Sequence, residues 1–175
     1  MASWYGAPYN KRRSSDGKIY NMNAMTAAHR TLPLGTVVRV TNTMTGRSAV
    51  VRITDRGPFV KGRIVDLSLA AAKATDVWRP GTALVKLQVL EAPAPLDMGG
   101  RWAVQIGAFQ KAKSADKVVD HLSHKYHDAR VLSFPSPVGD WWVRVRVPED
   151  DRHEAEEIAQ HTDTPEGSIF LVRLD

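Results

Sequence analysis

In the first half of the chain, apolar and polar residues alternate in short runs: Thr36–Thr41 (TVVRVT), Ser48–Thr54 (SAVVRIT), Arg63–Leu67 and Ala83–Leu90 (ALVKLQVL). A period of two is that of a strand with one face buried. Thr45-Gly46-Arg47 between the first two runs is a turn signal and predicts a hairpin. One helix is predicted, over Leu69–Thr75, with an alanine-rich body and Asp66 or Ser68 placed to cap its N-terminus. Many short strands, a single short helix and frequent Gly and Pro turns predict a small β-barrel.

Glu91–Gly100 carries two prolines and a double glycine and predicts a linker. Beyond it the period changes. Trp102–Phe109, Ala129–Phe134, Trp141–Val147 and Ser168–Leu174 read as strands, whereas Ser114–Tyr126 places Ala115, Val118, Val119, Leu122 and Tyr126 at helical spacing. Asp151–His161 is a second predicted helix, with Asp151 as N-cap and Glu154 three residues on. The order βαββαβ is that of a ferredoxin-like fold, two helices on one face of a four-stranded antiparallel sheet with the other face open. The expected organisation is therefore a mainly β domain over 1–91, a linker over 92–100 and an α+β domain over 101–175.

Charge sharpens this division. The net charge of +5 is the sum of +9 over residues 1–91, −1 over the linker and −3 over residues 101–175. A basic first half suits a polyanionic partner or a solubilising surface, and the acidic second half argues against a nucleic-acid ligand for its open sheet. The chain has no cysteine, which excludes a disulfide framework, a thiolate zinc site and a cysteine nucleophile. With one histidine, His29, in the first half, no metal site is expected there, and no cofactor is expected anywhere. No run approaches the roughly 18 apolar residues of a membrane span. Met1–Trp4 lacks the features of an export signal, so any such signal is expected to have been removed upstream.

Four blocks of the first half, Ala2-Ser-Trp-Tyr-Gly6, Thr26-Ala-Ala-His-Arg-Thr-Leu-Pro-Leu-Gly35, Thr54-Asp-Arg-Gly-Pro-Phe59 and Gly62-Arg-Ile-Val-Asp-Leu-Ser68, closely resemble the rare lipoprotein A family. The resemblance implies a six-stranded double-psi β-barrel and lytic transglycosylase activity. Such enzymes break the β-1,4 bond between N-acetylmuramic acid and N-acetylglucosamine without water, leaving a 1,6-anhydro end. One carboxyl that first donates and then accepts a proton suffices for this chemistry. By resemblance the acid/base is Asp55, at a predicted strand end before a sharp turn, and His29 supports it, with a hydrogen bond between the two as the expected link. Asp66 reads instead as a cap or a barrel brace.

Active relatives tend to read Gly-Glu-x-Tyr-Asp ahead of Thr-Ala-Ala-His, whereas this chain reads Gly17-Lys-Ile-Tyr-Asn21. Lys18 and Asn21 therefore stand where acids are expected, and with Tyr20 and Arg56 they are candidate substrate-binding residues. Their identity keeps open a second reading, a non-catalytic, expansin-like cell-wall or septal binding protein. Trp4, Tyr5, Tyr9 and Tyr20 are candidates for stacking on sugar rings, with Trp4 or Tyr5 alternatively packed inside the barrel. Arg12, Arg13, Arg30, Arg56, Lys61 and Arg63 are candidates for meeting acidic wall groups.

Arg101-Trp-Ala-Val-Gln-Ile-Gly-Ala-Phe109 and Gly139-Asp-Trp-Trp-Val-Arg-Val-Arg-Val147 resemble a sporulation-related repeat, or SPOR, domain, with Val147-Pro-Glu-Asp where Gly-Pro-Phe is common. The resemblance implies binding of glycan strands stripped of stem peptides. Alternation puts Trp142, Arg144 and Gln105 on the open face; the resemblance adds Ala108 and Val172. The expected partners are peptidoglycan glycan strands, with no nucleic acid. The family is normally exported and lipidated on a cysteine absent from this chain. That implies a periplasmic, outer-membrane lipoprotein enriched at the division septum, with membrane contact only through that absent anchor.

Overall fold

The computed structural model describes residues 1–164 and 166–175. The chain divides after Asp97 into two compact units.

The first unit is a six-stranded sheet of β1 (Ala2–Trp4), β2 (Thr26–His29), β3 (Val37–Asn42), β4 (Ser48–Asp55), β5 (Val65–Leu67) and β6 (Val85–Glu91), in the order β1-β5-β2-β4-β3-β6. β1 runs parallel to β5 and β2 parallel to β4, and the other neighbours are antiparallel. A bridge between Ala2 and Ala83 ties the edge strand β1 to the chain just before the opposite edge strand β6, which curls the sheet into a barrel. The alternation predicted from the sequence fills its interior: Val38 and Val40 from β3, Val51 and Ile53 from β4, and Val65 and Leu67 from β5 are all buried. Val50 belongs to the same apolar run but faces out, as the period of two requires.

α1 (Leu69–Ala74) is capped by Ser68, whose hydroxyl accepts from the Ala71 amide at 3.2 Å, and packs Ala71 and Ala72 on the core. Asp66, the other candidate cap, instead lies in β5. Its Oδ1 accepts from the Ser3 hydroxyl at 2.5 Å and its Oδ2 pairs with Arg63 at 3.2 Å, which ties β1 to β5. β1 and β2 were not among the predicted strands. β2 reads Thr-Ala-Ala-His, a composition without strand preference, and is made a strand by its two neighbours.

The second unit is an antiparallel sheet of β7 (Trp102–Phe109), β8 (Arg130–Pro135), β9 (Trp141–Arg146) and β10 (Ser168–Arg173), in the order β10-β7-β9-β8. α2 (Ala112–Lys125) and α3 (Arg152–Gln160) contribute Ala115, Leu122, Ala155 and Ile158 to one core with Val104, Ile106, Val143 and Val145 of the sheet. Asp151 caps α3, its Oδ1 accepting from the Glu154 amide at 2.9 Å. Where the Gly-Pro-Phe of relatives would fall, Pro148–Asp150 forms a single 3₁₀ turn with Glu149 and Asp150 at positive φ. The Asp150 carboxylate there accepts from Arg101 Nε (2.7 Å) and from Arg146 Nε (2.9 Å) and Nη2 (2.7 Å).

Candidate active site

Asp55 is the last residue of β4 and His29 the last of β2, and the two strands run parallel with Ala28 opposite Asp55. Pairing thus delivers both candidate catalytic residues to one end of the barrel. Two arginines then lock the loops that leave this end. Arg56 Nη1 donates to the carbonyls of His29 (3.1 Å) and Leu32 (2.6 Å), and Arg30 Nη1 to those of Pro58 (2.7 Å) and Arg63 (2.9 Å). Each strand's loop is held by a side chain from the other. Arg56, expected to bind substrate, and Arg30, expected to meet wall acids, are in this arrangement braces. Arg63, in its pair with Asp66, is another. Gly57 follows at φ 135°, a backbone conformation that side chains disfavour.

The half-buried Asp55 carboxylate is held through one oxygen. Oδ1 accepts from the Ser15 amide (3.0 Å), the Ser15 hydroxyl (2.6 Å) and the Arg56 amide (2.9 Å). Ser15 was not singled out in the sequence, because it lies forty residues away in a polar loop and only the fold brings it to Asp55.

His29 is buried, and its Nδ1 accepts from the amides of Thr31 (3.2 Å) and Leu32 (3.1 Å). A ring that accepts at Nδ1 carries its proton on Nε2. Burial, with Arg30 and Arg56 nearby, lowers its pKa from 6.5 to about 4, so the ring is neutral at neutral pH. The expected hydrogen bond between His29 and Asp55 is not made among the described residues. Nδ1 is committed as an acceptor to the turn that follows β2, and the ring's one donor, Nε2–H, makes no hydrogen bond to Asp55.

Tyr5 and Tyr20 form a stacked pair 4.5 Å apart, with Tyr9 edge-on to Tyr5 at 5.6 Å. Both are buried, the Tyr20 hydroxyl donates to the Tyr5 carbonyl at 2.8 Å, and Trp4 packs on the barrel core. The expectation that Tyr20 stacks on a sugar is thereby corrected, since its ring face is spent on Tyr5. Burial first, and then the negative charge of Asp55, push both phenols well above their ordinary value. Lys18 and Asn21 are both exposed. Lys18 closes the turn that carries Ser15, its amide donating to Asp16 Oδ1 at 3.0 Å, and Asn21 Oδ1 accepts from the Asn23 amide at 2.9 Å.

In the second unit the strand register puts Gln105, Trp142, Arg144, Phe134 and Val172 on the sheet face away from the helices. Arg144 donates to Gln105 Oε1 from Nη2 (2.5 Å) and Nε (3.2 Å) and lies over the Phe134 ring at 5.1 Å. The Trp142 ring lies against Gly107, where a Cβ would come within 2.7 Å of it. On that face Gln105, Trp142 and Val172 are buried and Arg144 is half-buried. Ala108 falls in the irregularity between Gly107 and Phe109, half-buried and without a paired residue among the described residues.

A family model described as lytic transglycolase matches residues 1–87, and one described as SPOR domain matches residues 99–161. The endolytic peptidoglycan transglycosylase RlpA of Helicobacter pylori strain J99 is 39% identical over 150 residues, 70% of this chain and 48% of that protein. The protein of the same name from Vibrio cholerae is 52% identical over 94 residues, 54% of this chain and 36% of its own length. That of Neisseria meningitidis serogroup A is 53% identical over 87 residues, 50% of this chain and 36% of its length. The chain spans about half the length of the first of these relatives and about a third of the other two. A barrel matched as a lytic transglycolase, followed by a sheet matched as a SPOR domain, is the pairing named from the sequence blocks, and on both matches the chain belongs to the rare lipoprotein A family.

Proposed function

We propose that the chain is a peptidoglycan lytic transglycosylase of the cell envelope, with Asp55 as its acid/base. The observation that carries this reading is a carboxylate fixed at a barrel strand end, within the domain matched as a lytic transglycolase. Protonated Asp55 gives its proton to the glycosidic oxygen as the bond to muramic C1 breaks. The ionised carboxylate then takes the proton of the C6 hydroxyl as that oxygen closes on C1. His29, neutral and donating only from Nε2, serves as a hydrogen-bond donor to the sugar or the leaving oxygen and not as a second acid. The relatives' name supports cleavage within strands. The proposed organisation is a catalytic barrel over 1–91, a tether over 92–100 and a SPOR module over 101–175 that takes the enzyme to denuded glycan at the septum through Gln105, Ala108, Trp142, Arg144 and Val172. An outer-membrane lipid anchor completes the proposal.

Lys18 supports a second reading, a non-catalytic wall binder. It is an exposed cation on the turn that touches Asp55, where it can meet a muramic lactyl or stem-peptide carboxylate. One experiment separates the two readings: digestion of glycan strands followed by mass spectrometry of the products. The expected result is 1,6-anhydro ends with the wild-type chain and none with Asp55→Asn, which should still bind glycan. Bound but uncut strands with the wild type would leave the second reading.

A further inference from the structure

We infer that Ser15 is a positioning residue that selects which oxygen of Asp55 does the chemistry, holding Oδ1 and leaving Oδ2 to carry the proton. The inference rests on the transglycosylase reading above and assigns a role to a residue which that reading does not use.

Three donors converge on Oδ1, two of them from Ser15, and no hydrogen bond to Oδ2 is made among the described residues. The Ser15 hydroxyl also accepts from the Arg56 amide at 3.2 Å. Arg56 N–H, Ser15 Oγ and Asp55 Oδ1 therefore form a closed ring, in which the hydroxyl proton has one place to point. The turn that carries Ser15 is itself anchored. Arg13 and Ile19 bridge across it, the Ser14 amide donates to Lys18 O at 2.8 Å, and the Asp16 amide donates to Thr54 O at 3.1 Å, one residue before Asp55. Gly17, at φ 82°, lets the chain reverse there. Ser15 is thus fixed to the same strand end that it serves.

The chemical consequence follows from what a carboxyl group accepts in its two states. Protonated on Oδ2, the group presents Oδ1 as a carbonyl oxygen; ionised, it presents Oδ1 as a carboxylate oxygen; in both states Oδ1 accepts the same donors. The clamp therefore need not break during turnover. In the first step the Oδ2–H bond breaks and its proton goes to the glycosidic oxygen, which leaves C1 with the bonding pair. In the second step the C6 oxygen bonds to C1 and its proton returns to Oδ2. No water is consumed and Asp55 is regenerated. A carboxyl free to rotate would exchange its two oxygens and lose this alignment.

The test uses the full chain with wild type, Ser15→Ala and Ser15→Thr, scoring the rate of 1,6-anhydro end formation against glycan concentration. Loss of one charge-assisted hydrogen bond to a reacting group predicts a fall in kcat of roughly tenfold or more for Ser15→Ala, with KM changed by less than about twofold. Ser15→Thr, which keeps the hydroxyl, should restore most of the rate. In amide proton–nitrogen NMR spectra the Arg56 resonance should move in Ser15→Ala and stay near its wild-type position in Ser15→Thr, with the rest of each spectrum retained. A wild-type kcat in Ser15→Ala, equal impairment of the two variants, a loss confined to KM, or an unmoved Arg56 amide overturns the assignment while leaving the transglycosylase reading intact. Absence of anhydro ends with the wild type sinks that reading, and this one with it.

Discussion

At the scale of single residues, the role of His29 at the barrel end depends on geometry that the motif does not contain. His29 is recognisable in Thr-Ala-Ala-His, but its tautomer and charge are set by the turn that folds back on Nδ1 and by the two arginines beside it. These also make it a stability device with a definite sign. The folded pKa of about 4 lies below the ordinary 6.5, so between those values the unfolded chain binds a proton that the folded chain refuses. The His29 contribution is thus fully present above pH 6.5, falls as pH drops towards 4 and is flat below. Its full size is roughly 3 kcal/mol from a shift of this order. Denaturant titrations of the wild type and His29→Asn should show unfolding free energies that converge between pH 6.5 and 4. Curves that stay parallel over that range would refute the assigned burial.

At the scale of elements, the barrel strands with strong alternation, β3 and β4, were legible because burial of one face by the fold and a period of two in the sequence are the same fact. The hairpin between them was legible through Gly46, whose φ of 72° the turn requires. β1 and β2 were not, because three or four residues carry too little pattern, and partners far along the chain decide their state. In the second unit the turn after β9 is also decided by distant partners. Asp150 is buried and ties the residue before β7 to the last residue of β9 through Arg101 and Arg146. Its hydrogen bond with Arg146 is the main reason that its pKa lies below the ordinary 3.8. A carboxylate lowered in this way contributes stability that is present above that value and is lost as pH falls below it. Asp150→Asn should cost roughly 1–3 kcal/mol at neutral pH, since it weakens charge-assisted bonds to a buried group. The gap should close under acid, and a gap independent of pH would show that the charge is not what holds the turn.

At the scale of the whole molecule, the division of charge into a basic barrel and an acidic second unit corresponds to two different proposed ligand states, wall carrying acidic stem peptides and glycan freed of them. Each unit should therefore fail by itself. In pull-downs on denuded sacculi, Arg144→Ala is expected to lower retention of the full chain roughly tenfold, from the loss of one charge-assisted contact, while leaving cleavage of free strands unchanged. Equal retention would place the SPOR site elsewhere. The sequence by itself determined the division into two modules, the strand periods, the α3 cap and the candidacy of Asp55, because each is written in adjacent residues. What only the tertiary structure decided lies between residues far apart in the chain. The Ser15 clamp on Asp55, the commitment of His29 Nδ1 to its turn, the use of Tyr20 and Arg56 as supports and the packing of Trp142 on Gly107 all depend on strand pairing. Pairing joins positions whose side chains carry no sign in the sequence of the neighbours they will meet.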